Sequence, residues 1–355
     1  MFPFSDTPQQ KKRRAHHGIP HPARAARTTG IALLMLGLTS TVALTGCGGT
    51  TDEDGKAGTK ASASASAPKG AVTREQAAKI VDNYTAVNGK ANATRNAKLL
   101  ATVEGGQVHE QSKADYKTFG TWTKADQGDY EKPFTYQDRT YYIPAGEDWF
   151  AVKATASGSK IPALLVFDKD GGAWKLMSAV YSDAPIPTID TGNHGLATAV
   201  APSTRVGALA PDDVSAAFED LYETGGKKAG AAISHTTDPA EDALKLYKGR
   251  DTFDLAKWAT KKFFAKDPAY GTTYALRLAD GGVLAVVPTA HTQETLLKQQ
   301  YMGSFEITPN KEESVYNPAK RAIVTDTFQG MTLATLPKSG RPSVIAYEYR
   351  MTDSK

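Results

Sequence analysis

The most nucleophilic side chain of this 355-residue sequence is its single cysteine, Cys47. A thiolate is a soft nucleophile, so its sulfur can accept a transferred group. Cys47 ends the run Leu44-Thr45-Gly46-Cys47, whose small central residues would let an extended segment enter a peptidase groove. One cysteine cannot form a disulfide within its own chain, so we expect core burial rather than cross-links to stabilise the fold.

The other residues that could carry chemistry lack the spacing that a metal site requires. The histidines beyond the N-terminal segment stand alone, and we predict that they lie on the surface: His109, His194, His235 and His291. HExxH, HxH and paired cysteines do not occur. Asp168-Lys169-Asp170-Gly171 starts like a calcium loop, but Ala179 stands where a bidentate glutamate would close it. We predict a hairpin turn there, no metal and no cofactor.

Two short patterns are similar to elements of penicillin-binding proteins. Ser157-Gly158-Ser159-Lys160 fits S-x-x-K, and Lys338-Ser339-Gly340 is close to K-T-G. In those enzymes the serine begins a buried helix that places the lysine beside its hydroxyl. Here the tetrapeptide lies between two strand patterns and runs into Ile161-Pro162. We therefore predict no catalytic residues in these patterns.

The residues before Cys47 have the order of an export signal. Residues 31–46 are apolar or small and uncharged, and they follow a basic stretch whose only acid is Asp6. The apolar run is about 16 residues long, shorter than the roughly 20 that a spanning helix needs, so a transmembrane anchor is the weaker interpretation. The basic residues are Lys11, Lys12, Arg13, Arg14, Arg24 and Arg27.

Leu44-Thr45-Gly46-Cys47 resembles the lipobox of bacterial lipoproteins. The resemblance implies that a diacylglyceryl group, traceable with palmitate, is attached to the Cys47 sulfur. It also implies cleavage between Gly46 and Cys47 and a protein anchored at the outer face of the cell membrane. Two acyl chains anchor firmly because each buried CH₂ contributes about 0.8 kcal/mol. An ordinary secretory signal with a chance cysteine remains an alternative. Arg13-Arg14 leaves the export route open between the general secretory and twin-arginine pathways.

Removing the predicted signal changes the charge of the protein. The whole chain has 42 basic and 38 acidic residues, and the first 46 residues hold six basic residues and one acid. The remainder is therefore close to neutral, with 36 basic and 37 acidic residues. A neutral protein lacks the basic surface that nucleic-acid binding requires, so we predict no nucleic-acid partner.

Five segments follow from composition. Residues 1–46 form the signal peptide, and residues 47–71, which are rich in Gly, Ser and Ala, form a disordered tether. The remaining length suits two domains. We predict domains at residues 72–182 and 211–355, separated by a Pro- and Gly-containing connection at residues 183–210.

Each predicted domain opens with a helix and continues with strands. Thr73 and Gln76 form a capping-box pattern, and Pro211-Asp212 starts the second helix. Apolar stripes follow in both helices. We predict strands in residues 133–144, 148–157, 161–172, 173–181, 272–289, 299–308, 320–336 and 343–352, and helix through residues 238–264.

This order, helix first and then antiparallel strands, twice, predicts an α+β fold. The two halves resemble tandem NTF2-like or cystatin-like domains, in which a curved sheet wraps a long helix; GGAWKLMSAVY is similar to their penultimate hairpin. The resemblance implies a concave face that can hold a ligand. Aromatic residues crowd the first sheet, and we predict that most of them fill the core: Phe134, Tyr136, Tyr141, Tyr142, Trp149 and Phe150. With unbroken register, Tyr136 and Tyr142 share one face of their strand.

As a whole the chain resembles the large lipoproteins of actinobacteria, through its lipobox, its Ala-, Thr- and Gly-rich composition and its two-part layout. We predict a non-enzymatic lipoprotein of the cell envelope that binds a small molecule or assembles with a protein partner. A hydrolase or isomerase that uses an NTF2-like pocket is the alternative. A solute-binding transport protein is disfavoured, because such proteins alternate strand and helix.

Overall fold

The computed structural model describes residues 69–192 and 194–355. The predicted signal peptide and most of the predicted tether, including Gly46 and Cys47, lie outside the described residues. Residues 68–355 belong to one compact unit. Seven helices are described: α1 (Arg74–Thr94), α2 (Ala97–Leu100), α3 (Gly106–Thr118), α4 (Lys124–Tyr130), α5 (Asp213–Glu223), α6 (Asp238–Gly249) and α7 (Glu313–Tyr316).

Helix α1 begins where its capping box predicts. The Gln76 amide donates to Thr73 Oγ1 at 3.2 Å, and the Thr73 amide donates to Gln76 Oε1 at 2.8 Å. The predicted stripe faces the core, with Ala77, Val81 and Tyr84 buried. The stripe of α5 is buried along its length, as predicted: Val214, Ala217, Phe218, Leu221 and Tyr222.

Four antiparallel strands form the first sheet in chain order, and all four lie in predicted strand segments. They are β1 (Tyr136–Tyr142), β2 (Phe150–Ala156), β3 (Pro162–Asp170) and β4 (Ala173–Tyr181). Gly171 and Gly172 make the turn between β3 and β4 with positive φ, so the predicted hairpin at residues 168–172 is confirmed.

The register of the first sheet shifts once between β1 and β2. Between Gln137 and Thr140 the first strand holds one residue more than its neighbour, with Asp138 at φ 52°. A bulge of one residue reverses which face the following side chains occupy. Tyr136 and Tyr142 therefore lie on opposite faces, although both are buried. Unbroken register predicts that Tyr136 and Tyr142 share one face, and this prediction is wrong.

The second sheet contains five antiparallel strands, β5 (Ala259–Ala265), β6 (Tyr274–Arg277), β7 (Val283–Leu297), β8 (Ile323–Leu336) and β9 (Ser343–Ser354). Its order is β5-β7-β8-β9, and β6 pairs with the beginning of β7. Two antiparallel sheets with helices confirm the α+β class.

Two predicted segments are wrong in part. The helix predicted through residue 264 ends at Gly249, and residues 259–265 form β5, where Phe263 is buried between the exposed Lys262 and Phe264. The strand predicted at residues 299–308 is a short 3₁₀ turn followed by Gly303 at φ 84°. Within it only isolated bridges occur, Met302 with Phe305 and Ile307 with Arg321.

The two sheets pack against each other. One face of the first sheet packs on α1, where the Tyr84 ring lies 6.4 Å from Tyr136 and 5.9 Å from Phe167, centroid to centroid. The other face meets the second sheet, and Ser178 Oγ donates to Met331 Sδ. Residues of both sheets belong to one apolar core. Helix α5 covers the outer face of the second sheet and forms a second apolar core there.

The predicted interdomain connection pairs with both halves. The Ala145 amide donates to the Ala197 carbonyl at 3.1 Å, and the Val200 amide donates to the Ala275 carbonyl at 2.9 Å. The two halves thus share a core and a connecting strand-like segment. The boundaries of two separate domains stay a prediction.

Candidate functional site

Helix α3 is the element that places polar groups in the interior. It packs between β4 of the first sheet and β8 and β9 of the second. Besides Val108 and Ala114 it buries a set of polar side chains: Gln107, Gln111, Ser112, Asp115 and Thr118. Buried polar groups require hydrogen-bond partners, so this face must be matched by polar groups on its neighbours.

Glu104 is held at the start of α3 by the edge of the first sheet. The Leu176 amide donates to the Val103 carbonyl at 2.8 Å, and the Gly105 amide donates to the Leu176 carbonyl at 3.0 Å. A Cβ atom on Gly105 would stand 2.7 Å from Met177 Sδ, so a larger residue there would displace the Met177 side chain. The backbone therefore fixes the Glu104 side chain against α1.

The Glu104 carboxyl is 2% exposed and is bound by neutral donors of α1. The Tyr84 hydroxyl donates to its Oε1 at 3.1 Å, and Asn88 Nδ2 donates to the same oxygen at 3.0 Å. The network continues along α1, because Asn92 Nδ2 donates to Asn88 Oδ1 at 2.9 Å. Tyr116 of α3 then donates to Asn92 Oδ1 at 2.7 Å.

Burial raises the pKa of Glu104 to about 7, because desolvation disfavours its charged form. Hydrogen bonds from Ser112, Tyr84 and Asn88 oppose this rise, and the nearby Asp115 carboxylate adds to it. Asp115 itself is paired with Arg350 of β9, whose Nε lies 2.9 Å from Asp115 Oδ1. Glu104 and Asp115 thus lie close enough for their charges to interact. The Tyr136 and Tyr181 hydroxyls, which are 2.9 Å apart, also lie within reach of the Glu104 charge.

A second buried glutamate lies between α5 and the second sheet. Glu219 Oε2 is 2.8 Å from Nδ1 of His291 on β7, and Glu219 Oε1 accepts from the Tyr349 hydroxyl on β9. Glu219 is 1% exposed and His291 is 5% exposed. Desolvation and the Glu219 charge raise the pKa of Tyr349 far above its usual value, so its hydroxyl keeps its proton.

Aromatic rings surround His291. The ring centroids of Tyr222 and Tyr349 each lie 4.8 Å from it, and that of Phe328 lies 5.1 Å away. With Nδ1 donating to Glu219, Nε2 is left as an acceptor, the arrangement that a general base uses. Among the described residues no serine or threonine hydroxyl hydrogen-bonds to this ring. The geometry therefore favours a fixed, packed histidine over a catalytic dyad.

A third acidic cluster closes the far end of the second sheet. Burial, together with the Glu313 carboxylate, raises the pKa of Asp326 to about 7. Arg321 and Lys261 oppose this rise. Burial also raises the pKa of Glu313 and lowers that of Lys261.

The histidines predicted on the surface are distributed differently. His194 is exposed, and His109 and His235 are half-buried. For His291 the prediction is wrong, because the apolar residues around position 291 continue a buried strand. No sequence pattern predicts the contact between His291 and Glu219, because 72 residues separate them in the chain.

The remaining candidates behave as ordinary structural residues. Residues 157–160 form a turn between β2 and β3, so the S-x-x-K pattern begins no helix. Within the described ranges no group of three or more His, Cys, Asp or Glu side chains could hold a metal ion. Most of the aromatic side chains of the first sheet are buried, as predicted. Cys47 and Gly46 lie outside the described part of the chain.

Comparison with known proteins identifies the family. Residues 68–355 match the family described as domain of unknown function DUF8094. The chain belongs to this family. Over 350 residues it is also 30% identical to the uncharacterized lipoprotein SCO6871 of Streptomyces coelicolor, covering 94% of this chain and 96% of that protein. No solved structure matches the chain.

The relative supports the prediction that this family member is a lipoprotein. Its similarity extends over nearly the whole chain rather than over one half. In the part of the chain that the structure describes, no helix combines the length and hydropathy that crossing a membrane requires. The lipoprotein relative supports membrane association of this chain.

Proposed function

We propose that the protein is lipidated at Cys47 and anchored at the outer face of the cell membrane, where it binds or assembles with a partner without catalysis. One observation carries the proposal: Leu44-Thr45-Gly46-Cys47 has the lipobox pattern in a chain whose relative over 94% of its length is a lipoprotein. The apolar run and basic stretch before it supply an export signal.

The buried acids support a binding role over an enzymatic one. Glu219 uses both oxygens for His291 and Tyr349, and Asp115 is paired with Arg350. Side chains that are satisfied within a core hold elements together and leave little capacity for a substrate. The resemblance of the first half to NTF2-like domains belongs to the same proposal, because α1 packs on one face of a four-stranded antiparallel sheet.

Metabolic labelling tests the anchor. Cells that express the wild type and are grown with labelled palmitate should incorporate label into the protein, and Cys47→Ala should abolish incorporation. The variant should also move from the membrane fraction to the medium. A matched Ser40→Ala change in the signal should leave labelling unchanged. Unlabelled wild type, or wild type with Met1 intact, would contradict the proposal.

A hydrolase or isomerase remains a second candidate because of one observation, the proximity of the Glu104 and Asp115 carboxyls in the interior beside the first sheet. A carboxyl with a pKa of about 7 is matched to proton transfer at neutral pH. Turnover of chromogenic ester and glycoside substrates by the wild type would favour this candidate if Glu104→Gln abolished it. Turnover unaffected by Glu104→Gln would exclude this site.

A further inference from the structure

Part of the second sheet extends beyond the first sheet and lies open. The face that meets the first sheet continues from Met331 and Gln329, which are buried, to Thr327, Thr325 and Ile323 of β8, which are not. On β7 their pairing partners are Thr292, Glu294 and Leu296, in that order. On the other side of β7 lie Phe264, Lys262 and Thr260 of β5.

Pairing places these side chains on one side of the sheet, because directly opposite residues point to the same face. We call this surface the open face and define it by three rows: Phe264–Thr292–Thr327, Lys262–Glu294–Thr325 and Thr260–Leu296–Ile323. None of the nine residues is buried. Phe264 and Ile323, each 40% exposed, are among the few large apolar side chains described as exposed.

A wall bounds the open face on the side of α3. Segment 266–270 follows β5, and its Lys266 amide still pairs with the Ala290 carbonyl of β7 at 3.0 Å. The Ala269 amide then donates to Gln329 Oε1 at 3.1 Å, the oxygen that also accepts from Gln107 of α3. The next residue, Tyr270, is 47% exposed. The wall thus contributes one exposed aromatic residue, Tyr270, and the floor contributes another, Phe264.

The dimensions of the open face argue against a second copy of the chain. Rows about 7 Å apart on strands about 4.8 Å apart give a floor of about 300 Å². Stable protein–protein interfaces bury about 800 Å² on each partner. The floor is therefore too small for a stable dimer, and it matches a narrow, extended ligand.

The chemistry of the open face matches a neutral, hydroxyl-rich ligand. Its charges are balanced in sign, because Lys262 lies opposite Glu294 in the register of β5 and β7. Along the other edge of the rows, Asp353 lies beside Thr327 and Lys355 lies beside Thr325, and these two charges are also opposite in sign. Four threonines supply hydroxyls that both donate and accept hydrogen bonds: Thr260, Thr292, Thr325 and Thr327. The Phe264 and Tyr270 rings offer apolar faces on which the C–H faces of sugar rings can stack.

We infer that the open face binds a glycan strand, with Phe264 and Tyr270 as stacking platforms and the threonines as hydrogen-bonding partners. This inference rests on the proposed location, because a protein anchored at the outer membrane face meets the polysaccharide of the wall. The open face and its wall are distinct from the buried clusters around Glu104 and Glu219.

Co-sedimentation with purified, protein-free peptidoglycan tests the inference, using the detergent-solubilised mature chain. The wild type should sediment, and Phe264→Ala and Tyr270→Ala should each weaken binding at least tenfold. Phe305→Ala, which removes a 49% exposed ring in the β7–β8 connection, serves as the matched control and should leave binding within twofold. Thr327→Val removes one hydroxyl with little change of shape and should also weaken binding. This variant therefore tests the inference even if an alanine variant fails to fold.

Several outcomes would overturn the inference. Wild type that stays in the supernatant, or Phe264→Ala that binds like the wild type, would do so. A concentration-dependent dimer that Phe264→Ala abolishes would assign the surface to a second copy, and binding to protein-free phospholipid vesicles alone would assign it to the membrane. Palmitate labelling of the same preparations reports the anchor separately, so loss of glycan binding and loss of lipidation are distinguishable.

Discussion

Two buried glutamates, one in each half of the molecule, are stabilised in different ways. Glu104 is bound by the neutral donors Tyr84 and Asn88, whereas Glu219 lies against the His291 ring and accepts from Tyr349. Neutral donors only partly replace hydration of a carboxylate, and the pKa of Glu104 rises to about 7. The comparison teaches that two equally buried carboxyls can be held by quite different partners, three neutral donors of one helix pair in one case and a histidine and a tyrosine of the second sheet in the other.

The largest effect should come from removing the Glu219 carboxylate. Glu219→Ala leaves His291 and the Tyr349 hydroxyl buried without their acceptor, and breaking such a buried pair costs about 3–5 kcal/mol. Glu104→Ala leaves only neutral donors unpaired, which costs about 1–3 kcal/mol. Urea unfolding at pH 7 measures both. Equal losses of unfolding free energy would contradict the distinction between the two sites.

The pH dependence of the free energy of unfolding should show the titration of Glu104. The folded pKa of Glu104 is about 7 and its ordinary value is 4.5, so its contribution is complete below about pH 4.5 and is lost as the pH rises through 7. The difference of about 2.5 units corresponds to about 3 kcal/mol. Glu104→Gln should flatten this decline in the free energy of unfolding between pH 5 and 8. A slope identical to that of the wild type would show that Glu104 does not titrate there.

Asp326 should contribute a second, independent part of that slope. Its pKa is also raised to about 7, from an ordinary value of 3.8, so its stabilising effect is likewise lost as the pH rises through 7. Asp326→Asn alone should remove part of the slope, and the double variant with Glu104→Gln should remove more. Thermal unfolding midpoints between pH 5 and 8 provide the measurement. A double variant no flatter than either single variant would mean that the two clusters are coupled.

The smallest expected effects come from removing the hydroxyls of Tyr349 and Tyr84. Tyr349→Phe removes a hydrogen bond to the buried Glu219 carboxyl, and bonds to charged groups contribute about 1.5–3 kcal/mol. Tyr84→Phe removes a bond to Glu104, which is half protonated near pH 7, and neutral bonds contribute about 0.5–1.5 kcal/mol. Chemical unfolding at pH 7 should therefore show the larger loss for Tyr349→Phe. The loss for Tyr84→Phe should grow at pH 8, where Glu104 is charged, and a constant loss would contradict this interpretation.

Sequence patterns predicted helices and strands that bury apolar side chains. Alternation in residues 161–181 predicted the β3–β4 hairpin, and the stripe of Val214, Phe218 and Leu221 predicted α5. Helix α3 escaped prediction because its buried residues, such as Gln107 and Gln111, are polar. No hydrophobic period marks such a helix, since its partners are distant carbonyls and side chains of β8 and β9.

The sequence predicted even less of the candidate sites than of the fold, because the side chains of each site are distant in the chain. Glu104 and Arg350 both interact with Asp115, but they are far apart in the sequence. The one-residue bulge in β1 also reversed the predicted facing of Tyr142, because register depends on pairing rather than on the strand alone.

By itself, the sequence determined the export signal pattern, the cysteine that can be lipidated, the first helix of each half and the strands of the first sheet, because each depends on residues that are neighbours in the chain. Only the tertiary structure decided that the two halves share a core, that Glu104 and Glu219 are buried with unlike partners, and that part of one sheet stays open. These features arise from contacts between residues far apart in sequence. Their free energies depend on which groups the folded chain brings together and which it leaves to water.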